Sequence, residues 1–499
     1  MHTEEFITQA EAFLTELERE HYLVGAGRKE QLESAAIFDR YPELFSREAA
    51  AARLQEQAGA ADPVAARYLA AFAADGYLEQ AVKTLSEEIT NRELAATVEW
   101  EGEALPYRQV RTVLAQEPDQ TRRHDLHCRQ LAVTAQQHDL RAERLQRLHE
   151  EATSLGFAGY TALYETLKGL ELPALAEAMG LLLEQTEAAY AGRLEEALIA
   201  AGVTPDTADV SDILYCFRAA QFDRYFPAEE MVRSLQHTMH GLGLVKGDDF
   251  GFILDLEPRP KKSPRAFCAT VRVPDEVYLV IKPQGGSDDY DSFFHEAGHA
   301  THYSRIAPDV PWPLRRLGDS DITESYAFLF HYLVHNPRWL RDVLGLPLSV
   351  AEEFRRFALF KKTWFLRRYA AKLRYELTLH AGDPAETCQA YVDTLAEALQ
   401  VEIAPENSLA DVDDGFYVAQ YLRAWVFEAM LRRFLEEELG EAWWQSRDAG
   451  WFLRDRWWRG QALPLATLAR EIGYERLDAR PLVEELRDVV SSRRSRSAD

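Results

Sequence analysis

The sequence predicts a mainly α-helical fold with one small patch of β-structure, set beside a helix that carries His295, Glu296 and His299. Two observations lead there. Apolar residues recur at helical spacing through most of the 499 residues, as in Phe6, Ala10, Phe13, Leu14 and Leu17. The clearest strand signal is confined to two runs, AFCATVRV (266–273) and EVYLVI (276–281), with Pro274 and Asp275 between them.

Composition bounds the function. Hydrophobic residues make up 47% and charged residues 28%, which suits a soluble enzyme with a sizeable core. The net charge of -26 argues against nucleic acid and anionic membrane as partners. Cys128, Cys216, Cys268 and Cys388 form no CxxC pair and are expected to be free thiols in a cytoplasmic protein. The acidic N-terminus has no secretory signal pattern, and no apolar run is long enough to span a bilayer.

In chain order, 6–89 reads as helices broken near Gly25 to Gly27 and near Pro63. VEWEGEA (98–104) reads as a hairpin or turn. Helices are expected over 118–170 and 172–201, the second ending at Gly202. His124, His127, His138 and His149, and likewise His237 and His240, are expected on solvated helix faces. A Pro-rich basic break (254–265) precedes the strand pair. Ser287 is expected to cap the next helix, with Asp288, Asp289 and Asp291 in its first turn, where carboxylates suit the helix dipole. Pro308, Pro311 and Pro313 end it, and a second helix is expected from Asp321 to His335. Further helices follow over 350–380 and 416–439. Trp443, Trp444, Trp451, Trp457 and Trp458 are expected to pack between lobes, and Ser491 to Asp499 to be disordered.

The chemistry lies in His-Glu-x-x-His. Residues four apart on a helix differ by about 40° around its axis, so His295 and His299 can face one ion, with Glu296 able to reach a metal-bound water. Glu324, on the following helix, completes a two-His, one-Glu ligand set for a single Zn2+. Asp291, one turn before His295, could hold that residue's second ring nitrogen.

KKSPRAFC (261–268), the strand pair, FFHEAGHATHY (293–303), DITESYAF (321–328) and GFYVAQY (415–421) together resemble the thimet oligopeptidase and oligoendopeptidase F family of gluzincin peptidases. The resemblance implies two helical lobes around a deep cleft, with a small β-sheet beside the HExxH helix. It implies His295, His299 and Glu324 as zinc ligands, Glu296 as the base, and Tyr417 and Tyr421 as helpers at the substrate carbonyl. It divides the chain into an N-terminal helical lobe (1–205), a catalytic domain (206–490) and the tail (491–499). The sequence departs from the family in LADVDDG (409–415), which lacks the histidine usual before the tyrosines. The implied activity is endoproteolysis of oligopeptides. The alternatives are a zinc carboxypeptidase or dipeptidyl carboxypeptidase, with Arg367, Arg368 or Arg423 as candidates to bind a free carboxylate, and a zinc-containing peptide-binding protein with little turnover.

Overall fold

Helices account for 68% of the chain and the sheets are small, as the apolar periodicity predicts. The computed structural model describes residues 1–494, with side chains through Arg487 except Ala385. Of the expected disordered tail, 491–494 continue the last helix, Arg480–Arg494, and 495–499 lie outside the described residues.

Helix α1 (Thr3–Gly25) buries Phe6, Ala10 and Phe13 in a local cluster with Phe38, Phe45, Leu69 and Trp312. Helix α2 (Pro63–Ala95) starts where Asp62 accepts the backbone N–H groups of Val64 and Ala65, with Pro63 preset for the first turn. The expected hairpin forms from β1 (Thr97–Trp100) and β2 (Glu103–Pro106). Its two turn residues, Glu101 and Gly102, both have positive φ (53° and 87°), which matches the twist of a two-residue hairpin. Then come α3 (Tyr107–Leu114), α4 (His138–Ser154), α5 (Tyr160–Lys168) and α6 (Leu172–Ala200).

The second sheet has three strands in the order β3 (Ile253–Asp255), β5 (Glu276–Val280), β4 (Phe267–Arg272). The β4–β5 pair is antiparallel, as expected, and β4 is an edge. Strand β3, parallel to β5, lies partly in the stretch read as a Pro-rich break; three residues are too few to show a strand period. The end of α1 closes on this sheet. Tyr22 stacks on Tyr278 at 4.1 Å and donates to Asp255 at 3.1 Å. Gly25 and Gly27 lie directly against Phe267 and the Lys262 backbone.

Helices α7 (Ser287–Tyr303), α8 (Ser320–His331), α9 (Leu348–Ala381) and α10 (Tyr417–Leu439) build the main core, with α8 packed against both α7 and α10. On α7, Phe293, Ala297 and Ala300 form one fully buried face. Burying Phe293 alone contributes about 1.5–3 kcal/mol. Helix α8 stops at His331 rather than His335, and a turn carries the chain to Asn336, which caps the next helix.

Three local expectations are corrected. Ser287 is the first residue of α7, not its cap, and its buried hydroxyl makes no hydrogen bond; Asp289 instead accepts from Gln284 N and Gly285 N in the preceding loop. His127 is buried, and His124 and His149 are half-buried and bonded within the protein rather than set on fully solvated faces. His124 and His127 bond to Asp212 and Asp209 at 2.8 and 2.7 Å, and His149 Nε2 bonds to His380 Nδ1 at 2.8 Å. Their partners come from distant sequence, which no local pattern reveals. His237 and His240 are exposed as expected. Trp443, Trp444 and Trp457 are buried, whereas Trp451 and Trp458 face solvent. No helix among the described residues is long and apolar enough to cross a membrane.

Candidate metal centre and catalytic site

Helices α7 and α8 meet at Gly298. A Cβ there would lie 2.5 Å from Ala327 Cα and 2.7 Å from Tyr326 O, so only glycine permits this approach. The contact brings Glu324 to the face of α7 that carries both histidines. His295 Nε2 lies 3.2 Å from Glu324 Oε2, and His299 Nε2 lies 3.5 Å from Glu324 Oε1. One donor atom from each of the three residues lies within 4.8 Å of the others. Two imidazole nitrogens and a carboxylate oxygen are a catalytic zinc donor set. Glu324 Oε2 is buried and has no hydrogen-bond partner, as a metal-ligating oxygen would be. Burial opposes its charge, but His299 and His295 more than offset this and hold Glu324 well below the usual carboxylate range. The residues present therefore fit a zinc ion.

Thr323 orients the site and was not picked out from sequence. Its hydroxyl bonds His299 Nδ1 at 2.8 Å, which turns Nε2 toward Glu324. Its only signal in the sequence is its position next to Glu324. Asp291 does not serve His295. Its carboxylate bonds His335 at 2.8 Å and Lys361 at 3.1 Å and lies 3.6 Å from His331. The distance along the helix was right, but the acid faces the turn after α8, where two histidines and a lysine collect.

Glu296 sits beside the ligand set. Its Oε2 accepts from Cys268 N, on the edge strand β4, at 2.8 Å. Because Cys268 N–H points away from β5 and toward Glu296, the free edge of the sheet faces the site. Burial raises the Glu296 pKa against the pull of His299 and His295, which suits a group that must take up a proton.

Helix α10 brings up the tyrosines. Tyr417 donates its hydroxyl to Glu324 Oε1. Tyr421 packs edge-on to Phe328 at 5.3 Å and stacks on Tyr369 at 5.2 Å. Burial and then Glu324 raise both phenol pKa values far above normal, so both remain O–H donors.

The loop before Tyr417, which lacks the expected histidine, is fixed by other groups. Gly415 and Phe416 both have positive φ, 62° and 53°. Gly415 N donates to Tyr160 at 2.9 Å, and a Cβ on Gly415 would lie 2.6 Å from the Tyr164 ring. Arg144 on α4 grips both oxygens of Asp414 at 2.9 and 2.7 Å. The expected carboxylate-binding arginines are occupied. Arg367 bonds Ala398 O, Leu183 O and Glu187; Arg368 bonds Asp411; Arg423 bonds Asp321. His302 is fully buried against Tyr303 and Tyr326, with its pKa pushed down to about 3 by burial, as a packing residue would be.

Solved structures with this architecture include one assigned to oligoendopeptidase F from Bacillus anthracis str. Ames, with a TM-score of 0.69 over 98% of this chain and 89% of that chain at 14% identity. A PZ peptidase A structure with an inhibitor gives a TM-score of 0.64 over 99% of this chain and 88% of that chain at 15% identity. The chain shares their fold. This bears out the mainly helical class and the resemblance carried by FFHEAGHATHY and GFYVAQY. No protein-family model and no curated protein matches the sequence.

Proposed function

We propose that the chain is a zinc-dependent endopeptidase that hydrolyses short peptides. The reading rests on one observation: His295, His299 and Glu324 converge, and Glu296 stands beside them at the free edge of a sheet. The chemistry that zinc supplies at such a site is acidification of a water and polarisation of the scissile carbonyl. Glu296 accepts the water's proton and passes it to the leaving amine nitrogen. Tyr417 and Tyr421 offer neutral hydroxyls to the carbonyl oxygen as it gains charge. An extended peptide adds to the edge of β4 through main-chain hydrogen bonds, which hold many sequences alike.

The test uses internally quenched peptides blocked at both ends, with and without a chelator. Cleavage that stops on chelation and returns with zinc is expected. In Glu296→Gln the rate should fall by about 10²–10⁴-fold with bound zinc unchanged. Cleavage restricted to peptides with a free terminus would point to an exopeptidase, and zinc binding without any cleavage to a peptide-binding protein.

A further inference from the structure

Four imidazoles stand in a row along α7 and α8. His299 meets His295 at 4.9 Å between ring centres, His295 meets His331 at 5.8 Å, and His331 meets His335 at 4.9 Å, each pair edge to face. A carboxylate faces each half of the row. Glu324 faces the first two rings. Asp291 faces the last two: its Oδ1 lies 2.8 Å from His335 Nε2 and 3.6 Å from His331 Nε2.

These spacings suit a metal ion. Donors around a tetrahedral zinc stand about 3.3 Å apart, and the distances at Glu324 are 3.2 and 3.5 Å. One donor atom from each of Asp291, His331 and His335 lies within 4.8 Å of the others, as in the first set. The Nδ1 atoms of His331 and His335 are buried without a hydrogen-bond partner, so the two rings converge on one oxygen through Nε2. Lys361 takes the other oxygen, Oδ2, at 3.1 Å and also engages Asp288. Two carboxylates and one ammonium leave one negative charge for a cation, and a ligating carboxylate is ordinarily held by such an outer hydrogen bond. Asp209 and Asp212, which approach His124, differ. Each of their oxygens is engaged by another group: Ser211 N and His127 at Asp209, Arg123 and Gln120 at Asp212. Asp291 and His335 are buried, while His331 is partly exposed and gives an ion a way in. Imidazoles with a carboxylate select zinc and its transition-metal neighbours over Ca2+ and Mg2+, which favour oxygen alone.

We propose that Asp291, His331 and His335 form a second transition-metal site, beside but separate from the first, and that a Zn2+ held there ties the start of α7 to the turn after α8. Such an ion is counted without any turnover, so its presence is independent of the peptidase reading.

Wild-type protein stripped with a chelator and dialysed against excess Zn2+ should hold two ions per chain, neither displaced by equimolar Ca2+. Asp291→Asn, and the double variant His331→Gln with His335→Gln, should hold one. Their affinity for the second ion should fall by more than the ~10–100-fold that loss of an outer partner costs. Glu324→Gln should lose the first ion and keep the second. His240→Gln removes an exposed histidine on another helix and should keep both. The melting temperature of the wild type should rise further as the second ion binds, and this further rise should vanish in Asp291→Asn. One ion in the wild type, a second ion kept in both Asp291→Asn and the double variant, its loss in His240→Gln, or its displacement by Ca2+ would overturn the site. If the variants fail to fold, zinc-soaked crystals of the wild type decide. Anomalous scattering at the zinc edge should show a peak between Asp291 Oδ1 and the two Nε2 atoms; no peak there while the first site is full would overturn the proposal.

Discussion

The Tyr417 hydroxyl donates to Glu324, the carboxylate that faces both His295 and His299. One hydrogen bond thus links the N-terminal end of α10 to the proposed metal ligands. Tyr417→Phe removes that donor while leaving the ring in place. The expected result is a fall in kcat of about 10²–10³-fold with KM little changed, as for loss of one oxyanion donor. Zinc content per chain should stay at the wild-type value. An unchanged kcat would make Tyr417 a packing residue.

Gly298→Ala tests the approach of α7 to α8. The new methyl meets backbone at 2.5 and 2.7 Å, not a movable side chain, so the helices must separate. Denaturant titration should show a loss of about 1–3 kcal/mol, the usual cost of overpacking. Zinc affinity should weaken as well, because Glu324 moves with α8. A variant with wild-type stability and zinc affinity would contradict this geometry.

Arg144→Gln releases Asp414 and with it the left-handed turn at Gly415 and Phe416. Misplacing Tyr417 by about 1 Å should lower kcat by up to about 10²-fold. Zinc binding should be unaffected, since no ligand lies on that loop. Arg144→Lys keeps a charge but not the two-pronged grip, so an intermediate rate is expected. Equal kcat in all three proteins would show that the loop holds itself.

Asp255 gives a pH prediction. Burial opposes its ionised form, but Arg259 and Lys262 more than offset this and lower its pKa to about 2. With an unfolded value near ~3.9, the folded protein binds the proton less readily. The resulting stability, about 2 kcal/mol, is present above roughly pH 4 and disappears as pH falls through about 2. Asp255→Asn should therefore be less stable than the wild type at pH 7, and the gap should narrow below pH 4. A gap independent of pH would rule out ionised Asp255 as its source.

Much of the site was legible because it is local. The helical repeat carries His295, Glu296 and His299, and the hairpin turn at Glu101 and Gly102 follows from two adjacent residues. Glu324 needed only the neighbouring helix. What stayed hidden depends on long separations. Asp291 finds His335, 44 residues away, and Arg144 finds Asp414 across 270 residues. A third strand of three residues has no measurable period, and Thr323 differs from any other helix threonine only once His299 lies against it.

The stacking of Tyr22 on the sheet also bears on how the chain is made. Tyr22 and its partner Asp255 are 233 residues apart. A ribosome adding about 5–20 residues per second leaves α1 without the sheet for roughly 10–50 seconds. During that interval Phe6 and Phe13 can already bury themselves with Phe38, Phe45 and Leu69, all made soon after them. The first helix can therefore dock early by one end and keep the other free for the strands, so that the sheet beside Glu296 is covered only late in synthesis.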